Sequence, residues 1–241
     1  MAFYADFSGH YEKIFPLREP TLKFLDRWLT EDHRILDLGC GTGHYCGRLA
    51  ETGRQCLGID LDPGMISQAE ENYPGATFRI LDLQAIKGLQ ESSFGGAYCI
   101  GNVLPHLPAH QLAEFFSALR RLLKPGGRWI FQTVNFDPLL HLDGYEFPTL
   151  TFPDDDLAFH RKYLSTTQGS LLFQTRLMQD GTELFSGETQ LFPRRSTDYL
   201  AMNLAAGFNL LGHFADFTGL EYIPGKFSGS VYVFEVPGDL K

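Results

Sequence analysis

The feature that most restricts the fold is ILDLGCGTGHY, Ile35 to Tyr45, where an apolar run ending in aspartate is followed by three glycines in five positions. Glycine inside a regular element costs roughly 0.5–1 kcal/mol relative to alanine. Alternate glycines behind an apolar run therefore need a local reason. Either the backbone turns sharply there, or another group comes very close to it.

The surroundings say which kind of sheet carries this turn. From about residue 33 to 135, the runs HRILDLG, QCLGIDL, ATFRIL, GGAYCIGN and GRWIFQTV alternate with HYCGRLAETG, PGMISQAEENY and AHQLAEFFSALRRLLKPGG. The second set carries apolar residues at three- and four-residue spacing, the period of a helix. Pro63 suits a first helical turn, and Lys124-Pro125-Gly126-Gly127 stops a helix. Apolar strands alternating with helices predict a parallel sheet covered on both faces.

From about Tyr145 to Phe192 the pattern changes to strand-like pieces without helices, and Asp180-Gly181 suits a two-residue hairpin turn. One more helix, STDYLAMNLAAGF, is expected to be capped by Ser196 or Thr197 and ended by Gly207. Two strands, around NLLGHFADF and SGSVYVFEV, close the chain. No internal repeat or long linker divides it, so one domain with an antiparallel insertion is expected.

Composition narrows the partners. Twenty-nine acidic against 20 basic side chains give a formal charge of −9, and no basic run exceeds two residues. That disfavours nucleic acid, whose binding rests on lysine and arginine displacing counterions. The opening MAFYADFSGHYEKIFP lacks the basic start and apolar stretch of a secretory leader. No apolar run reaches the roughly 18 residues of a membrane span, so no membrane partner is expected. The four cysteines, Cys40, Cys46, Cys56 and Cys99, include no Cys-x-x-Cys pair. They read as small buried thiols of a cytoplasmic protein rather than zinc ligands or disulfides. Oligomeric state is not legible.

A strand, a glycine turn and a helix start together make a cofactor site at the carboxyl edge of a parallel sheet. The dinucleotide fingerprint needs Gly-x-Gly-x-x-Gly, whereas Gly39-x-Gly41-x-Gly43 is followed by His44; a P-loop needs Gly-Lys-Ser/Thr, which is absent. DLGCGTG instead closely resembles motif I of the class I S-adenosylmethionine-dependent methyltransferases. GIDLD, RILDLQ, CIGNVLPHL, LLKPGGRWIFQTVN and LAAGF follow in the order that family shows. CIGNVLPHL is similar to small-molecule members such as glycine N-methyltransferases. Where the family often has Phe-Asp, Phe94 is followed by Gly95.

The resemblance implies a doubly wound, Rossmann-like α/β fold: a mostly parallel seven-stranded sheet, helices on both faces, and an antiparallel β insertion before the last helix. Residues 1–30 would be a lid, 31–136 the cofactor-binding core, 140–195 the substrate-side insertion, and 196–237 the closing helix and strands. It implies S-adenosyl-L-methionine as cofactor. Gly39, Cys40, Gly41, Thr42 and Gly43 would lie against its methionine part, with Asp37 and the Gly101 carbonyl ordering the ammonium. Asp60, at the tip of the second strand, would accept both ribose hydroxyls, since charge-assisted hydrogen bonds are the stronger sort. Asp82 and the Leu83 amide would meet the adenine, with Met65 and Val103 covering it or filling plain core. Leu61 and Asn102 complete the implied cofactor set, and Asp62 is expected to cap a helix or face solvent.

Beyond the cofactor, His106 is a substrate-facing candidate or a helix cap. His106 and His110 stand four apart, but no HExxH pattern or third ligand supports a metal. Tyr11 and Phe15 would share a helical face in the lid, Tyr11 offering a hydroxyl to the site or packing on the sheet edge. With His106 it is the candidate base for an oxygen acceptor. Arg18, Arg161 with Tyr163 on one side of a strand, His160 on the other, and Arg194-Arg195 could meet an anionic substrate or lie on solvated faces. The expected activity is in-line methyl transfer to the nitrogen or oxygen of a small molecule. The alternatives are a nucleic-acid or protein methyltransferase, which GNVLPH in place of Asn/Asp-Pro-Pro-aromatic and the acidic charge disfavour, a non-catalytic cofactor-binding module, or a dinucleotide oxidoreductase.

Overall fold

A computed structural model describes residues 8–29, 34–165 and 169–238. The first seven residues and residue 30 of the expected lid, and residues 31–33 at the start of the expected core, lie outside the described residues. The core alternates strand and helix: β1 (Arg34–Leu38), α3 (His44–Ala50), β2 (Gln55–Asp60), α4 (Pro63–Asn72), β3 (Thr77–Ile80), β4 (Phe94–Cys99), α5 (Ala109–Leu122) and β5 (Leu123–Val134). Helices α1 (Ser8–Ile14) and α2 (Glu19–Trp28) precede it. The inserted strands are β6 (Gly144–Glu146), β7 (Leu150–Phe152), β8 (Leu157–Ser165), β9 (Leu171–Gln179) and β10 (Thr182–Leu191). Helix α6 (Ser196–Ala205) and strands β11 (Asn209–Phe214) and β12 (Gly229–Glu235) follow.

The main sheet has seven strands in the order β11-β12-β5-β4-β1-β2-β3. Strands β1 to β5 pair in parallel, and β12 runs antiparallel to both its neighbours. The expected mostly parallel, doubly wound α/β sheet is what the chain builds. Alternate residues go to opposite faces, as strand geometry requires. Leu36, Leu38, Trp129 and Phe131 meet Phe115, Phe116 and Leu119 of α5 and Tyr199 of α6. Ile35, Cys56, Tyr98 and Ile130 meet Phe24 and Leu25 of α2, Leu49 of α3 and Ile66 of α4. Both faces are covered, which is why the strands read as continuous apolar runs.

The insertion is a five-stranded antiparallel sheet, β10-β9-β8-β6 with β7 also on β8. Asp180 and Gly181 turn β9 into β10 with φ of 49° and 74°, the left-handed pair of a tight hairpin. Helix α1 ties the insertion to the core. Ile14 is buried with Met65 of α4 and with Leu157, Phe159, Leu177 and Phe185. The Tyr73 hydroxyl donates to Glu12 at 2.9 Å, and Lys13 pairs with Asp155.

Two local expectations change. Ser196 does not cap α6; its N–H and hydroxyl donate to Asp137 at 2.9 and 2.6 Å. Arg195 holds the cap position, and its N–H donates to Asp198 at 3.1 Å. The acid three residues on reaches back to the helix start, where the dipole favours it. Within the 1–30 segment, α2 is a core element, because Phe24 and Leu25 are buried against the sheet. Only α1, the turn after it and Thr21 reach the site described next.

Candidate active site

The glycine loop turns at the carboxyl end of β1. Gly39, Gly41 and Gly43 have φ of 78°, 54° and 79°, a region costing other residues roughly 1–2 kcal/mol each. Both reasons considered for glycine apply. A Cβ on Gly43 would stand 2.5 Å from the Phe78 ring and 2.9 Å from Ala69, so β3 and α4 close on the loop only over bare backbone. A Cβ on Gly41 would meet the Tyr11 ring at 3.3 Å, so α1 lays its aromatic face on the loop.

Asp60 latches this loop. Its Oδ2 accepts from the Gly41 N–H at 2.9 Å and its Oδ1 from the Asp62 N–H at 3.0 Å. Burial pushes its pKa up, and the backbone donors partly offset that. Asp62 caps α4, accepting from Gly64 and Met65 at 2.8 and 3.1 Å. The Leu81 N–H donates to the Asp60 carbonyl at 2.9 Å, which sets Asp82 beside Asp60 on the same sheet edge. Asp82 accepts from Gln84 at 2.8 Å and keeps its second oxygen. Leu61 is 66% exposed along this edge, and Leu83 is half-buried.

A cavity of about 390 Å³ opens beyond the loop. Its floor is Asp37, Gly39 and Cys40; its sides are Ile100, Gly101, Asn102 and His106 after β4, and Gln132 and Val134 of β5. Its roof is the insertion, through Phe147, Phe159, Arg161, Tyr163, Phe173 and Thr175. Tyr11, Phe15, Arg18 and His44 close the remaining side. The candidates thus divide: Tyr11, Asp37, Gly39, Cys40, Gly101, Asn102 and His106 line the cavity, whereas Asp60, Leu61, Asp82 and Leu83 flank it. Val103 packs its methyls where a Gly39 Cβ would stand, 2.8 Å away. Thr42 and Met65 are buried, Met65 in the cluster beneath α1. His110 is exposed on α5, apart from His106.

Asp37 is 3% exposed, and its Oδ2 accepts from the Tyr98 hydroxyl at 2.8 Å. Tyr98 stands directly opposite it on β4. Burial raises the Asp37 carboxyl to about 8 although that hydrogen bond opposes the shift. An acid so placed on the cavity floor fits a cationic ligand group. Asn102 holds the other side. At φ 64° it takes the left-handed conformation that asparagine tolerates. Its Oδ1 accepts from Val134 N–H at 2.9 Å, and its Nδ2 donates to the Tyr163 hydroxyl at 3.4 Å. The Gly101 N–H donates to Gln132 at 2.9 Å. These bonds tie the loop after β4 to β5 and to the insertion.

Burial sets the two base candidates. The Tyr11 phenol is pushed well above its usual value by burial and by Asp60 and Asp37, and His106 is lowered to about 4 by burial. At neutral pH Tyr11 keeps its proton and His106 is uncharged. Sequence reasoning passed over Tyr98, Gln132, His44 and Thr175, because strand register and the insertion's placement bring them in. Nothing local to GGAYCI marks Tyr98 as the partner of Asp37.

With that geometry in place the class follows: seven strands with β12 reversed, and a glycine-loop, acid-tipped carboxyl edge, are the frame of a class I methyltransferase. Residues 35–127 match the family described as methyltransferase domain. The Clostridium acetobutylicum S-adenosylmethionine-dependent methyltransferase superposes with a TM-score of 0.81 at 18% identity, covering 98% of this chain and 99% of that one. YqeM of Bacillus subtilis, provisionally named a methyltransferase, is 27% identical over 90% of this chain and 91% of its own. The ubiquinone biosynthesis O-methyltransferase of Xanthomonas oryzae is 32% identical over 109 residues, 44% of each chain. The chain thus spans under half of that relative. Residues 35–127 thus carry a methyltransferase domain on the fold of the S-adenosylmethionine-dependent methyltransferases, and S-adenosyl-L-methionine is the cofactor.

Proposed function

We propose that this enzyme transfers a methyl group to a small molecule held in the cavity between the glycine loop and the insertion. The observation that carries this is the overhang: residues of the insertion and α1 line a cleft of about 390 Å³ above the carboxyl edge, which stays partly open to solvent. That volume lies in the range of small-ligand pockets. The −9 charge agrees. Four free, buried cysteines suit a cytoplasmic protein, and no described helix is long and apolar enough to cross a membrane.

When bound, the cofactor supplies an activated methyl on a sulfonium. The chain's own part is to bind, orient and exclude water. Asp37 would hold the ammonium, Gly39 and Gly41 offer bare backbone, and Asp60 and Asp82 would take the ribose and adenine. Asn102 fixes the loop after β4 against the roof, so the acceptor's nucleophile is held in line, an effect worth up to roughly 7–11 kcal/mol in well-oriented systems. Tyr11, protonated, could donate a hydrogen bond to the acceptor, and His106, uncharged and weakly basic, could accept one. Neither is tuned as a base at neutral pH, which favours an amine delivered in its neutral form. Titration calorimetry tests the cofactor side. Binding of NAD without binding of S-adenosylmethionine or S-adenosylhomocysteine refutes the reading. Screening metabolite pools with methyl-labelled cofactor tests the acceptor class, and label appearing only in nucleic acid or protein refutes it.

A further inference from the structure

The cavity has two polar ends. Its floor carries the buried acid Asp37, whereas its roof carries Arg161 on β8 and Thr175 on β9, directly opposite each other in the antiparallel ladder. Opposed residues of such a ladder hold their Cβ atoms about 4.5–5.5 Å apart, close enough for both side chains to reach one ligand group. The Arg161 guanidinium stands 5.0 Å from the Phe147 ring and 5.9 Å from the Phe159 ring. One terminal nitrogen donates to the Pro148 carbonyl at 3.3 Å. Its Nε is buried without a hydrogen-bond partner, and so is the hydroxyl of Thr175, a residue 5% exposed. The groups that act electrostatically on Arg161 are the phenols of Tyr163 and Tyr145; no carboxylate among the described residues pairs with it.

A guanidinium drawn out of water without a counter-ion is costly, and an orphaned hydroxyl beside it adds to the cost. Both costs are relieved by an anion that accepts from the two together. A guanidinium edge matches a planar carboxylate in charge and shape. One such edge and one hydroxyl are few donors for a phosphate dianion. The remaining arginine lining the cavity, Arg18, is exposed, and its backbone N–H donates to the Tyr45 hydroxyl at 3.0 Å.

We propose that Arg161 and Thr175 bind a carboxylate of the methyl acceptor, whose apolar or planar body lies between Phe147, Tyr163 and Phe173. This rests on the methyl-transfer reading above and names the substrate class for the same cavity. The acceptor enters with its anionic end on the insertion and its nucleophile toward the floor.

The test uses the full chain saturated with S-adenosylhomocysteine and titrated by calorimetry with benzoate, benzamide and phenyl phosphate. Benzoate should bind in the millimolar range or tighter, and benzamide about tenfold more weakly. Arg161→Gln should lose benzoate binding about tenfold and Thr175→Val a few-fold, both keeping the parental affinity for S-adenosylhomocysteine. That retained affinity also shows that each variant is folded, and Thr175→Val carries the test if Arg161→Gln does not fold. The proposal is overturned if benzoate fails to saturate, if benzamide or phenyl phosphate binds as well, or if both variants bind benzoate like the parent. It is also overturned if Arg161→Gln weakens S-adenosylhomocysteine to the same degree, since Arg161 would then serve the cofactor's own carboxylate. Failure of the parent to bind S-adenosylhomocysteine would instead refute the methyltransferase reading.

Discussion

Cofactor binding should expel a proton from Asp37. Its carboxyl is buried against the Tyr98 hydroxyl and raised from 3.8 to about 8, mainly by burial. In the empty cavity at pH 7 it is therefore mostly protonated. An ammonium placed beside it restores the carboxylate, since an opposite charge favours the ionised form. Binding then requires ionisation, so affinity should rise about tenfold per pH unit from about pH 6 to about pH 8 and level off above. The sign for stability is opposite. The folded pKa of this acid lies above its unfolded value, so the native state binds the extra proton between about 4 and 8. The empty protein loses up to about 1.4 kcal/mol of stability per pH unit across that window. Calorimetry in buffers of different ionisation enthalpy, at pH 7, should record release of close to one proton per S-adenosylmethionine bound. Asp37→Asn should abolish both the release and the pH slope. A flat affinity between pH 6 and 8, or equal proton release from the variant, would refute the argument.

Asp60→Ala should weaken S-adenosylmethionine binding by roughly 2–4 kcal/mol by calorimetry; parental affinity would make Asp60 a loop latch only. Because Asp60 also accepts from Gly41 and Asp62, the variant should lose about 1–2 kcal/mol in denaturant unfolding as well. Gly43→Ala should cost roughly 2–4 kcal/mol, combining a left-handed backbone with a methyl 2.5 Å from Phe78. Thermal denaturation at the parental midpoint would show that the loop repacks freely. Deleting the residues before Glu19 should abolish turnover much more than it lowers stability, because α1 covers the cavity while α2 holds the sheet. Methylation at the parental rate would exclude α1 as a cover.

The sequence by itself determined whatever is local. Strand and helix periods, the Asp180-Gly181 turn, the Pro63 start and the Lys124-to-Gly127 stop are set by backbone sterics within a few residues. The glycine loop was legible for the same reason, since a turn at the mouth of a buried strand leaves a narrow choice of residue, whereas Asp60 was singled out by resemblance and its hold on the Gly41 and Asp62 N–H groups was not foreseen. The cap of α6 was misread because Ser196 is claimed by Asp137, which lies 59 residues away. Tertiary structure alone decided the rest. Asp37 meets Tyr98 through parallel register, and Asn102 meets Tyr163 only because the insertion folds over β4. Arg161 could meet an anionic substrate or lie on a solvated face in the sequence reading, which passed over Thr175 and Phe147; all three line the cavity once that sheet becomes a roof. The protonation of Asp37, Tyr11 and His106 follows from burial, a property of the packed molecule that no short stretch of chain encodes.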